Sequence, residues 1–136
     1  MANYAIEDIE GIGPVRAEKF RGAGIKDTDS LLASCQTRQQ RDALAEATGM
    51  PAAQLLKFAN MADLYRVPGI GSEFAELLEV AGVDTVPELA QRNPANLAEA
   101  LLAANTAKNL TRRVPSETDV AKWVEQAKSL PRALEY

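Results

Sequence analysis

Gly11-Ile12-Gly13 and, 58 residues further on, Gly69-Ile70-Gly71 are the two places where residue type and spacing could do chemistry. Glycine tolerates backbone angles that other residues avoid, so a pair of glycines two apart lets one helix turn sharply into the next. The isoleucine between them points back into the core and pins the turn. The backbone amides after the second glycine then lie at a helix N-terminus, ahead of any intrahelical acceptor. Such amides form a site for an anion, and a nucleic-acid phosphate is a suitable guest that requires no base to be read. The same glycines also serve as a plain structural turn, the stronger expectation for Gly69, Ile70 and Gly71.

Charge separates the two hairpins. Between Pro14 and Lys26 stand four bases (Arg16, Lys19, Arg21, Lys26) and one acid, Glu18. The matching segment from Ser72 to Asp84 holds Glu73, Glu76, Glu79 and Asp84 with no base. An anion at the first hairpin would meet Arg16 and Lys19; at the second it would meet Glu73. The three glutamates repeat at helical spacing, which reads as a solvated face that also favours the helix N-terminal dipole. The sequence contains no His, no phosphate-binding loop, no nucleophile motif and no paired metal-ligand spacing. The expected function is therefore non-catalytic, with no metal and no cofactor.

The elements that position these residues are also written twice. At the 58-residue offset Ala17 matches Ala75, Phe20 matches Leu78, Ala23-Gly24-Ile25 matches Ala81-Gly82-Val83, and Leu31 matches Leu89. Leu55, Phe58, Ala59, Ala62 and Tyr65 have the spacing of one buried helix face. Val120, Trp123, Val124, Ala127 and Leu130 repeat it at an offset of 65. The second copy thus carries extra residues, expected within Ala107–Ser116, which include Lys108, Arg112 and Arg113 and no acid before Ser116. Asp27, Thr85-Val86-Pro87-Glu88 and Ser116-Glu117-Thr118-Asp119 read as helix caps, Thr85 and Glu88 as a capping box; Met50-Pro51 and Asn93-Pro94 read as helix starts. Alanine and leucine far outnumber valine and isoleucine, so helix is expected throughout. The prediction is an all-α bundle of about ten short helices in two repeats, residues 1–66 and 67–136, packed as one unit.

This pattern resembles the helix-hairpin-helix motif of DNA repair and replication proteins. It rests on Ile9-x-Gly11-Ile12-Gly13, a following helix with Ala17 and Phe20, and then Ala23-Gly24-Ile25. From about Ile6 to Leu130 the chain is similar to a family known only as domain of unknown function 4332, whose members carry such hairpins in tandem. The resemblance implies an all-α, SAM-domain-like arrangement and no established activity. DNA-binding examples of the motif carry Lys or Arg just beyond the second glycine. Here Arg16 comes one step late, and the second copy places Glu73 there.

Two functions follow from these features. One is weak, sequence-independent binding of a nucleic-acid (DNA) backbone through Gly11, Ile12, Gly13, Arg16 and Lys19, with Lys108, Arg112 and Arg113 as a second contact. The other is a protein–protein adaptor that keeps the fold without binding nucleic acid. The formal net charge of −4 and pI near 4.9 weigh toward the second. No apolar run reaches a membrane span and the start of the chain shows no signal peptide. Cys35 is the single cysteine and is expected to be a buried thiol, which suits a reducing, cytoplasmic location.

Overall fold

The computed structural model describes residues 3–136; Met1 and Ala2, which open the expected first repeat, lie outside the described residues. Eight α-helices follow one 3-10 turn at Ile6–Asp8, and no strand occurs among the described residues. The helices are α1 (Pro14–Gly22), α2 (Thr28–Ala33), α3 (Arg38–Thr48), α4 (Ala52–Leu64), α5 (Ser72–Val80), α6 (Val86–Ala90), α7 (Pro94–Lys108) and α8 (Glu117–Ser129).

Eight helices replace the expected ten or so for a local reason. The segment leading into the first glycine pair spends its backbone groups elsewhere. Ile6 N donates to Lys26 O at 3.2 Å, Thr28 N donates to Tyr4 O at 2.9 Å, and Ala5 pairs with Asp27 as an isolated bridge. Only one 3-10 turn fits between those anchors. Ahead of the second glycine pair, the lead-in is the end of α4 rather than a helix of its own.

The described residues divide into two compact units: residues 3–63 together with Arg132–Tyr136, and Leu64–Pro131. In the first unit α1 packs on the 3-10 turn, and Phe20 meets Phe58 edge to face with ring centroids 6.3 Å apart. The segment 132–136 completes this unit. Leu134 is buried, Glu135 N donates to Gln36 O at 2.7 Å, and the Tyr136 hydroxyl lies 3.0 Å from Asn60 Oδ1. In the second unit α8 packs against α6 and α7, and α5 packs against α7.

Capping explains where most helices begin. Asp27 and Ser116 each accept from the backbone N–H three residues on, while Ser30 and Asp119 reach back to complete a capping box. Thr37 with Gln40 makes a third box, and Asn93 caps α7 ahead of Pro94. Thr85 departs from the expected box. Its hydroxyl accepts from Glu88 N at 3.1 Å, but the Glu88 carboxylate accepts from the Thr85 hydroxyl at 2.9 Å instead of from the Thr85 backbone N–H. Asp84 beside Glu88 raises the pKa of that carboxyl group. Pro51 falls one step short of α4; its carbonyl accepts from Gln54 N and Leu55 N at the helix start.

The expected insertion is divided between a helix and a loop. α7 has 15 residues against 11 for α3, and each ends on a left-handed residue, Asn109 and Gly49. The rest of the difference lies between Asn109 and Ser116. Asn105, buried in the last turns of α7, holds this loop: its Oδ1 accepts from Leu110 N and Thr111 N, and its Nδ2 donates to Thr111 O at 3.1 Å.

Candidate nucleic-acid interface

The two glycine segments take the same local path. Ile12 N donates to Ile9 O at 3.1 Å, and Ile70 N donates to Val67 O at 3.1 Å. Gly11 and Gly69 have φ of 92° and 93°, a region that suits glycine. Gly13 and Gly71 are the N-caps of α1 and α5 in extended conformation, so in each pair only the first glycine needs its special backbone freedom. Ile12 and Ile70 are buried, as the spacing requires. Beyond each glycine pair, Ile25 N donates to Phe20 O and Val83 N to Leu78 O, both at 2.8 Å, around left-handed Gly24 and Gly82.

A large ring lies behind each first glycine. A Cβ added at Gly11 would fall 3.3 Å from the Phe58 ring, and one at Gly69 would fall 3.0 Å from Trp123 Nε1. Gly13 is different, because a Cβ there meets nothing within 4 Å. Gly13 is exposed, and no side chain caps α1. The first intrahelical bond of α1 runs from Ala17 N to Gly13 O, which leaves the Val15 and Arg16 amides ahead of the helical ladder. Pro14 has no N–H, so the donor set is smaller than glycine spacing alone suggests.

The basic residues that follow the first glycine segment differ in availability. Arg16 is half-buried; its Nη1 donates to Gly11 O at 2.9 Å and its guanidinium lies 6.0 Å from the Phe58 ring centroid. It therefore braces the turn from within, keeping its charge beside Gly13. Arg21 is paired with Glu7, and that hydrogen bond lowers the Glu7 pKa below the ordinary carboxylate range. Lys19, one turn after Arg16, is exposed.

Lys108, Arg112 and Arg113 belong to the second unit, whereas Arg16 and Lys19 belong to the first. Lys108 ends α7 and Arg112 is exposed on the following loop. Arg113 is committed: Nη1 lies 2.7 Å from Asp119 Oδ2, and the guanidinium stacks 5.5 Å from the centroid of the Phe74 ring. The Arg113 hydrogen bond, helped by the Ser116 amide, pulls the Asp119 pKa down to about 2. Phe74 in turn packs on Trp123 at 5.3 Å. It occupies, at the 58-residue offset, the position held by Arg16. Phe58 is covered by a cation, whereas Trp123 is covered by a second ring. The sequence reading missed Phe74; the 58-residue offset is the signal that could have found it, whereas the Arg113 contact depends on how the loop folds.

Glu73 stands exposed in the first turn of α5, where it complements the helix dipole and would repel a phosphate. Among the described residues no group of three His, Cys, Asp or Glu side chains is placed to hold a metal. No helix among them is long and apolar enough to cross a membrane. Cys35 is buried, and burial pushes its thiol pKa up to about 11.

No curated protein and no solved structure matches the chain. A family model, Domain of unknown function (DUF4332), matches residues 10–130, nearly the whole sequence. The chain belongs to the DUF4332 family.

Proposed function

We propose that the protein is a non-catalytic, tandem helix-hairpin-helix module of the cytoplasm whose first hairpin holds a nucleic-acid backbone without reading sequence. The duplication is supported by matched φ values at Gly11 and Gly69 and matched hydrogen bonds after each hairpin. The observation that carries the binding reading is the open N-terminus of α1. Gly13 leaves it uncovered, and Arg16 and Lys19 follow on the first two turns. Amides, helix dipole and two cations then act on one phosphate cluster. Arg113 contributes little, because Asp119 already neutralises it.

The test is fluorescence anisotropy with unrelated duplexes in a salt titration. Affinity should fall in the range of about 10⁻⁴–10⁻⁶ M, with a log–log salt slope of about 2–4. Equal affinity for unrelated sequences is expected. No binding at roughly 0.1 mM protein, the weak end of that range, would remove this reading.

The second reading, a protein-binding adaptor, has its own support in the second unit. Leu102 and Val80 are exposed at 54% and 44%, and Glu73 makes the second hairpin unsuitable for phosphate. Pull-down with the intact protein, read against a Leu102→Asp variant, tests it. Capture that survives this substitution counts against Leu102 as the contact.

A further inference from the structure

Residues 132–136 reach the first unit by an indirect covalent route. The chain leaves that unit after Asp63, forms the separate compact unit Leu64–Pro131, and returns with Arg132. After so long an excursion the tether supplies local concentration, and noncovalent bonds hold the contact itself. Leu134, 1% exposed, is the apolar anchor. Glu135 N donates to Gln36 O at 2.7 Å, and the Tyr136 hydroxyl donates to Asn60 Oδ1 at 3.0 Å. Gln36 precedes α3 and Asn60 lies on α4, so both acceptors come from the stretch before Asp63.

The segment also carries its own shape. Arg132 Nε donates to Leu134 O at 2.8 Å, and its guanidinium lies 5.0 Å from the centroid of the Tyr136 ring. It lies along an open groove of about 420 Å³ that it shares with Gln36 and Thr37, and Tyr136 remains 44% exposed. A preshaped segment in an open groove leaves its seat without any helix having to move. Its link to the second unit is extended. α8 ends at Ser129, Leu130 has φ −73° and ψ 132°, and Pro131 holds Leu130 out of the helical region. Such a link points the segment away from its helix, toward whichever seat lies within its span.

We propose that residues 132–136 form an exchangeable arm, and that the groove seating it is the surface through which two copies of this chain dimerise. In the monomer the arm occupies its own first unit; in the dimer each arm occupies the first unit of the other copy. A second copy is the occupant that fits, because its own segment 132–136 makes each of these contacts with no new complementarity required. Exchange is reciprocal, so two seats are filled at once and the pair gains avidity. The proposal is independent of the first hairpin and does not rest on the nucleic-acid reading.

The experiment is analytical ultracentrifugation of the full chain and of a variant lacking Leu130 and Pro131. Removing two extended residues withdraws about 7 Å of reach, which takes the arm off its own seat and leaves a second copy's seat as its partner. The shortened variant should dimerise at a protein concentration at least about tenfold below that of the wild type, whose own arm competes at an effective concentration of about 1 mM. Adding Leu134→Asp to the shortened variant should return it to monomer. A second measurement decides the matter if the shortened variant does not fold. Acetyl-Arg-Ala-Leu-Glu-Tyr-amide, added to the full chain carrying Leu134→Asp, should shift the amide signals of Gln36, Thr37 and Asn60 saturably, at a Kd of about 0.1–1 mM. It should also raise the thermal midpoint of that variant, and the same peptide with aspartate in place of leucine should do neither. A folded shortened variant that stays monomeric, a dimer indifferent to Leu134→Asp, or a peptide without saturable shifts each overturns the proposal.

Discussion

Gly69 and Trp123 are in such close register that a single methyl group on the glycine would lie 3.0 Å from the indole nitrogen. Gly69 also has φ of 93°, so alanine there is strained twice, by backbone and by ring. Gly69→Ala should destabilise the protein by about 1–3 kcal/mol. Trp123→Ala should cost about 3–5 kcal/mol, the usual loss for a large buried aromatic. Denaturant midpoints at constant slope measure both. A loss below about 1 kcal/mol for Trp123→Ala would mean that the stripe on α8 does not hold the second unit together.

Gly13 makes the opposite prediction. Its φ of −86° and open surroundings tolerate a Cβ, so Gly13→Ala should change stability by no more than about 0.5 kcal/mol. If phosphate approaches the α1 N-terminus, the same methyl group should weaken nucleic-acid binding. Unchanged affinity in the anisotropy titration would leave Gly11-Ile12-Gly13 as a structural turn only.

Charge reversal at the hairpin needs a clean position. Arg16→Glu would remove the bond to Gly11 O as well as the charge, so Lys19→Glu is the better variant. It should weaken binding to every duplex alike and reduce the salt slope by about one. Glu73→Lys should raise affinity by supplying a second cationic hairpin. A Lys19→Glu protein with wild-type slope would remove the proposed mechanism.

Asp119 sets an acid limit on the basic loop. Its folded pKa of about 2 lies below the ordinary 3.8, so its contribution is present above 3.8 and is lost as pH falls toward 2. Asp119→Asn should flatten the thermal midpoint between those values, with the wild type declining more steeply. Parallel curves would show that the Arg113 contact does not persist in solution.

The Cys35 thiol has the opposite sign. Burial favours its neutral form, so the contribution is intact below the unfolded value of 9.0 and declines as pH rises through it toward about 11. At pH near 8 a thiol reagent should label Cys35 only as denaturant unfolds the chain. Prompt labelling in native buffer would contradict the buried placement.

The sequence by itself determined the helical class, the paired glycine segments and the two buried stripes, save that Leu130 is half-buried just beyond the end of α8. Each is a local or periodic property: Ile12 and Ile70 had to be buried because the flanking glycines turn the chain around them, and Phe58 and Trp123 share one spacing of apolar neighbours. Most caps were legible for the same reason, since a cap is settled within four residues. What only tertiary structure decided is which charges remain available. Arg16 and Arg113 read as free cations in the sequence, yet one donates to Gly11 O and the other is held by Asp119 and Phe74. The return of residues 132–136 to the first unit, and the burial of Arg41 beside them, carry no periodic signal. Partners distant in sequence or set by an irregular loop leave no repeat to read, because a long side chain reaches its acceptor only after the backbone has brought it there.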